Sequence, residues 1–208
     1  MNHRLTELRS LLATRFPGSV DTHFSAASPR QNSTSLLPGK LVEIASPSGC
    51  GGEGLLLRRF CEESTGAMAL VDAANAFDPS ILTQQTRQRL LWVRCHRAAE
   101  AVRTADLLLR DGNLTTVLMD LRLLPPRELL RLPSSVWHRL RMLAERAQAS
   151  VGIFSPCRVV PCAAQRWLLQ DSLELHALEE PVETLAARLH PQAAERLFHE
   201  AADLAIAS

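Results

Sequence analysis

Lysine is nearly absent from this sequence: Lys40 stands alone against 22 arginines in a chain of 208 residues. Any chemistry that needs a lysine, such as a Schiff base or a clamp on the terminal phosphates of a nucleotide, therefore has a single candidate. Aromatic residues make up only 4% and tyrosine is missing altogether, so surfaces that hold single-stranded nucleic acid by base stacking have little to be built from. The formal charge is +1, from 23 basic and 22 acidic side chains, which excludes nucleic-acid binding driven by global basicity. Uninterrupted apolar stretches stay short, Ala67 to Val71 and Leu55 to Leu57 being typical, far below the roughly 18 residues a membrane span requires. Cysteines are few and odd in number (Cys50, Cys61, Cys95, Cys157 and Cys162), and no basic segment leads into an apolar signal core. That combination predicts reduced thiols in a cytoplasmic protein.

What the chain does contain is a globular composition, 46% hydrophobic and 22% charged, enough for one sizeable core with appended arms. Leu5, Leu8, Leu11 and Leu12, interleaved with Arg4, Glu7 and Arg9, predict a short amphipathic helix over residues 4–14. Pro17-Gly18 ends it, and from there to Gly39 the composition shifts to Ser, Thr, Pro, Asn and Gly, an extended connector. The organisation expected is thus an N-terminal helix and connector over 1–40, a core over 41–180 and a C-terminal helix over 181–208. In that last helix Pro191 suits the first turn, and Ala194, Leu197, Phe198, Ala201 and Leu204 form one apolar face.

Within the core, short apolar segments alternate with longer helical patterns. Strands are expected at 41–45, 67–72, 90–94, 115–120, 150–155 and 173–178, and helices at 54–64, 97–110, 134–148 and 162–169. Buried strands alternating with helices of this length predict an α/β fold, with a mostly parallel sheet covered on both faces.

The first strand, Leu41 to Ala45, runs into Ser46-Pro47-Ser48-Gly49-Cys50-Gly51-Gly52-Glu53-Gly54 and then a helix. Strand, glycine-rich turn and helix is the layout of a phosphate-binding loop. A working loop needs a lysine for the terminal phosphates and then a hydroxyl for Mg²⁺. Gly52 and Glu53 stand in those two places, and a carboxylate aimed at a triphosphate repels it. The loop is therefore expected not to bind ATP productively, its glycines (Gly49, Gly51 and Gly52) serving a tight turn. Arg58 and Arg59 lie nearly two helical turns further on, too far to substitute for the missing lysine.

Further along comes Leu70-Val71-Asp72-Ala73-Ala74-Asn75-Ala76-Phe77-Asp78-Pro79, which resembles the RecA recombinase segment Asp-Ala-Glu-His-Ala-Leu-Asp-Pro, with Ala74 in the place of the catalytic glutamate. Leu90 to His96 with Ala98-Ala99-Glu100-Ala101 is similar to the third strand and following helix of that superfamily, and the fit is especially close to ImuA-type proteins, RecA-like accessory factors of translesion synthesis. Thr116-Val117-Leu118-Met119-Asp120 is similar to the Walker B strand, so Asp120 is the one acid of the nucleotide site that is retained. The resemblance spans residues 36–180 and rests on the order and spacing of several segments. It implies a RecA-like core without its chemistry: the lysine, the glutamate base and the long DNA-binding loop after the strand at 151–155 are all gone, only Pro156 to Pro161 remaining there.

The other constellations are weaker. Cys95 and His96 are strand neighbours that point to opposite faces and cannot form an activated pair. Cys157, Cys162 and His176 lack the spacing of a zinc site, and no metal is expected. From Gln84 to Gln148 there are 12 Arg against 6 acidic residues, while 171–208 holds 8 acidic residues against 2 Arg. Arg87, Arg89, Arg94, Arg97, Arg103, Arg139, Arg141 and Arg146 could touch phosphates weakly, although a solvated helix surface accounts for them equally well. Phe24-Ser25-Ala26-Ala27 has the Phe-x-x-Ala form with which recombinase arms dock on a neighbour, so Phe24 and Ala27 join Leu197 and Phe198 as candidate partner-binding residues. Trp92, Trp137 and Trp167 are expected in the core, with Arg166-Trp167 beside Arg158 suiting an interface.

The resemblance thus implies a non-catalytic adaptor of DNA-damage-induced mutagenesis with no cofactor, associated with the nucleoid on damage. Its partners would be an inactive Y-family polymerase relative of the ImuB type, an error-prone polymerase and RecA itself, with weak or no direct DNA contact and with self-association through its arm. The alternative implied is an SOS cell-division inhibitor similar to SulA, another RecA-like chain without a nucleotide site.

Overall fold

A computed structural model describes residues 35–46, 52–73, 75–169, 173, 177, 179–189 and 191–193. In chain order these form β1 (Leu41–Ala45), α1 (Glu53–Glu63), β2 (Met68–Asp72), a 3-10 turn (Pro79–Ile81), α2 (Gln84–Gln88), β3 (Leu90–Arg94), α3 (Ala98–Asp111) and β4 (Thr116–Asp120). They continue with α4 (Pro126–Leu130), α5 (Ser134–Ala147), β5 (Ser150–Ser155), β6 (Gln165–Leu168), α6 (Val182–Ala187) and β7 (Gln192–Ala193). The strands make one seven-stranded sheet in the order β3-β2-β4-β5-β1-β6-β7, parallel except for the β6–β7 pair.

The central strands are buried along their whole length, as a sheet covered on both faces requires. Alternation sends Leu41, Val71, Val117, Met119, Val151 and Ile153 to one face, where α3 and α5 cover them with Ala101, Ala105, Trp137 and Leu140. The opposite set, Val42, Ile44, Leu70, Leu118 and Phe154, packs under α1 against Leu56, Leu57 and Phe60. Each fully buried Leu or Phe contributes about 2 kcal/mol by leaving water, so these two layers dominate the stability. The helix ends follow from local chemistry. Thr83 caps α2 by accepting the Thr86 N–H at 3.3 Å, and α3 stops where Gly112 takes the left-handed conformation at φ 75°.

The α/β architecture, the five parallel strands from β1 to β5 and the three long helices agree with the sequence reading to within one residue at either end. Other segments differ. Residues 162–169 are not a helix: Gln165–Leu168 is β6, parallel to β1. Of the strand expected at 173–178 only Leu173, without regular structure, and Ala177, in a 3-10 turn, are among the described residues. Pro191 does not open a helix either, because Gln192–Ala193 pairs antiparallel with β6. The short helices α2, α4 and α6 carry too few apolar positions to register as a period. The helix expected over 4–14 lies outside the described residues. Among the described residues no helix is long and apolar enough to cross a membrane.

Candidate functional site

The strands β2, β4, β5 and β1 are neighbours and end their parallel run at the same edge of the sheet. At that edge the positions on the α1 face are held by Asp72, Asp120, Phe154 and Ser46, in continuation of Leu70, Leu118 and Ile44. The chain passes from β1 through α1 to β2, on the far side of β5 and β4. The crevice outside such a reversal is where open α/β sheets bind their ligands.

Here that crevice is occupied by the protein's own side chains. Arg122, two residues beyond β4, donates from Nε and Nη2 to the two carboxylate oxygens of Asp120 at 2.8 and 2.6 Å. Its Cζ also lies 5.9 Å from the centroid of the Phe154 ring, a cation–π arrangement. Asp120 is 1% exposed. Burial works against the charge of Arg122, but the hydrogen bonds and charge of Asp120, with Glu53 and Asp72 beyond it, outweigh burial and raise the guanidinium pKa above its ordinary value.

The flanking carboxylates have protein partners as well. Asp72 is fully buried and accepts the backbone N–H groups of Ala76 and Phe77 at 3.2 and 3.1 Å and the Trp92 indole N–H at 3.3 Å. Phe77 meets Trp92 edge to face at 5.9 Å. Glu53, the first residue of α1, is 6% exposed and accepts the Ser46 hydroxyl at 2.5 Å, and a carboxylate in a first turn is favoured by the helix dipole. Among the described residues the crevice therefore holds three carboxylates and one guanidinium.

Gly52 shows how its mouth is shut. A Cβ there would stand 2.5 Å from Leu189 Cδ2 and 3.5 Å from Leu169 Cδ2. Leu189, just beyond α6 and 6% exposed, lies over the N-terminus of α1 as part of the α1-face core.

A second polar cluster pins the opposite face of β1. Glu43 sits in mid-strand with no exposure, and its Oε1 accepts the N–H groups of Val159 and Val160 at 2.6 and 2.9 Å. Arg166 Nε donates to Oε2 at 2.7 Å, and Arg166 also donates to the Val160 carbonyl. The short β5–β6 connection is thereby drawn down onto β1.

Of the residues singled out from sequence, the structure brings Gly52, Glu53 and Asp120 to one crevice, together with Asp72. Gly49, Gly51, Phe24, Ala27, Leu197, Phe198 and His176 lie outside the described residues. Cys95 is buried with its Sγ 3.6 Å from Thr104 Oγ1, while His96 is exposed, so the two do not act together. Cys157 and Cys162 are half-buried, and burial raises both thiol pKa values. Among the described residues no three His, Cys, Asp or Glu side chains converge as a metal site. Arg58 and Arg59 are engaged along the flank of α1, with the Ile81 carbonyl at 2.9 Å and with Glu63 at 2.6 Å. Trp137 and Trp167 are core residues. At Arg166-Trp167, singled out as suiting an interface, Trp167 packs on Phe60 and Arg166 is held by Glu43. Most of the basic stretch is exposed, with Arg94 stacked over Trp92 at 5.0 Å and Arg139 paired with Asp106 at 2.5 Å.

Arg122, Leu189 and Glu43 are not evident from sequence alone. The signal for Glu43 was there, since a lone carboxylate in an otherwise apolar strand demands a buried partner. For Arg122 it was an Arg two residues after an acid at a strand end.

No family model matches the sequence. Among solved structures, the chain is similar to that of the RadB recombinase, with a TM-score of 0.54 and 15% identity over 67% of this chain and 78% of that one. At that identity the likeness is one of fold: the mostly parallel seven-stranded sheet flanked by helices is RecA-like.

Proposed function

We propose that this chain is a non-catalytic RecA-like adaptor of the ImuA type, acting in DNA-damage-induced translesion synthesis through contacts with other proteins. One observation carries the reading: the crevice where a RecA-like fold would take magnesium and ATP is filled from within. Arg122 grips Asp120, Leu189 lies over Gly52, and Glu53 stands where a metal-binding hydroxyl would be needed. These residues do not fit a nucleoside triphosphate. A triphosphate entering there would have to displace a buried ion pair and then face three carboxylates, and an unpaired buried charge costs several kcal/mol. With the chemistry gone, the fold's remaining use is recognition.

The partners proposed are an ImuB-like inactive Y-family polymerase and an error-prone polymerase, with RecA as a further contact. Phe24, Ala27, Leu197 and Phe198 are the docking residues proposed. Direct DNA contact is at most weak, since the exposed arginines are scattered and few aromatic side chains accompany them.

The test has two arms. Calorimetric titration of the purified protein with ATP and magnesium, beside Gly52→Lys/Glu53→Thr, is expected to give no heat for the native chain. Micromolar binding by the native chain overturns the non-catalytic reading. Co-purification is expected to recover the ImuB-like polymerase, less so for Phe24→Ala/Leu197→Asp. Recovery of the tubulin-like division protein instead replaces this reading with the SulA-like one.

A further inference from the structure

On the face of the sheet away from the filled crevice, α3 and α5 leave between them a cavity of about 370 Å³. Its floor is apolar: Ala99 and Val102 from α3, and Leu132, Pro133, Val136 and Leu140 from the start of α5 and the turn before it. Its rim is cationic. Arg139 pairs with the single lining carboxylate, Asp106, at 2.5 Å, and Arg110, one turn further along α3 and outside the lining, reaches the same carboxylate at 2.8 Å. Arg103 is exposed and has no acidic partner among the described residues. Two lining cations, Arg103 and Arg139, against one lining acid leave the rim with an excess of one positive charge.

An occupant must therefore present an apolar stripe flanked by carboxylates. The sequence supplies one in residues 194–208, which lie outside the described residues. Ala194, Leu197, Phe198, Ala201 and Leu204 recur at helical spacing, and Glu195, Glu200 and Asp203 outnumber Arg196. The excess there is two negative charges, opposite in sign to the groove.

The direction of the chain decides which copy supplies it. β7 is the sheet edge on the side away from β3, three to four strands from the β4–β5 region beneath the groove, about 14–19 Å sideways at the usual strand spacing. Because β7 runs antiparallel to β6, the chain leaves Ala193 heading towards the amino-terminal ends of the parallel strands. The groove lies between the first halves of α3 and α5, at the carboxyl ends. A 15-residue helix spans about 22 Å, so a segment of the same chain would have to reverse and spend that length crossing the sheet. A neighbouring copy faces no such limit.

We propose that the α3–α5 groove is the acceptor for the 194–208 segment of a second copy of this chain, giving a head-to-tail contact. Such a contact leaves one free groove and one free segment on each pair, so it propagates unless the rotation closes a ring. The inference gives Leu197 and Phe198 to the groove of a second copy where the adaptor reading gives them to the polymerase, and Val136→Asp separates the two, since it should abolish self-association while leaving recovery of the polymerase unchanged.

The test uses the purified full-length protein in sedimentation velocity over a wide concentration range. Reversible association that weakens with salt is expected. Val136→Asp in the groove and Leu197→Asp in the segment should each leave a monomer, and mixing the two variants should give a one-to-one dimer that grows no further. Arg103→Glu, at an exposed site that folding tolerates, should weaken association about tenfold, and Glu200→Arg added to it should restore association. A native chain that stays monomeric throughout overturns the proposal, whether the segment folds back on its own chain or awaits another protein. So does association unchanged by Leu197→Asp, or a variant mixture that forms no dimer.

Discussion

Arg122 closes a two-point grip on Asp120, with N–O distances of 2.8 and 2.6 Å, at the carboxyl end of the fourth strand. In a RecA-like sheet this strand end faces the ligand crevice. A guanidinium there supplies a fixed positive charge among Asp120, Glu53 and Asp72 without any exchangeable ion. Its side chain is 18% exposed while Asp120 is 1% exposed, so the geometry is that of a largely desolvated pair, whose cost is offset only by good hydrogen bonding.

Removing one member of that pair should therefore be more damaging than removing both. Arg122→Met is expected to lower unfolding stability by about 3 kcal/mol, because the acids it faces lose their counter-charge. Asp120→Asn/Arg122→Met should be less destabilised than Arg122→Met alone, and so far less than the sum of the single variants. Urea denaturation of the four proteins measures the coupling. Strict additivity would mean that the two side chains do not depend on each other.

Glu43 makes the corresponding claim on the other face of the first strand. Glu43→Leu should cost about 3–5 kcal/mol, since it strands the Arg166 charge and two buried N–H groups at Val159 and Val160. The loss should be local first: amide exchange at residues 156–161 is expected to accelerate before that of the central strands. Uniform acceleration across the sheet would show that Glu43 does not tether this connection.

The same pair explains where the sequence was misleading. The four residues of β6 carry Arg166 next to Trp167, and the stretch from Cys162 to Leu169 mixes alanine, glutamine, arginine and leucine as a surface helix does. An arginine on a strand beside the sheet's centre makes sense only once Glu43, 123 positions away, is known to meet it. By contrast the strands at 41–45 and 150–155 were legible from their β-branched and apolar content, because burial on both faces is a local compositional demand. Glu53 and Asp120 were legible as members of one crevice through their places after the first and fourth strands. What fills that crevice was not: Leu189 reaches Gly52 from 137 residues further along the chain, and no local pattern encodes such a contact.

Glu62 gives a pH-dependent prediction. Burial would raise its pKa, but hydrogen bonds from Thr86 and Thr83, with the charge of Arg58, outweigh burial and hold the carboxyl below its usual value. The Thr83 N–H at 2.8 Å and hydroxyl at 3.0 Å tie α1 to the cap of α2. A pKa depressed by folding contributes stability that is complete above the unfolded value, about 4.3, and is lost as pH falls through the folded value. Glu62→Gln should thus be about 1 kcal/mol less stable at neutral pH, and its urea midpoint should converge on that of the native chain in acid. A difference that persists undiminished below the folded pKa would assign the effect to packing instead of charge.

Gly52 and Leu189 test how firmly the crevice is shut. The backbone of Gly52, at φ −91° and ψ −12°, is open to any residue, so the obstacle to a side chain is purely the Leu189 methyl 2.5 Å from where a Cβ would stand. Gly52→Ala should cost about 1–3 kcal/mol as a forced insertion into packed space. Leu189→Ala alone should also destabilise, by leaving a void beside Leu169. Combined, the two changes relieve each other, and Gly52→Ala/Leu189→Ala should be more stable than Leu189→Ala by itself. The same reasoning bears on restoring a phosphate loop: Gly52→Lys/Glu53→Thr must push Leu189 aside before its lysine can reach a phosphate, whereas the triple variant with Leu189→Ala meets no such barrier. If the triple variant binds ATP in calorimetry and the double variant does not, Leu189 is the plug. Failure of both would place the barrier in the Arg122–Asp120 pair instead, and binding by both would show that Leu189 is no plug.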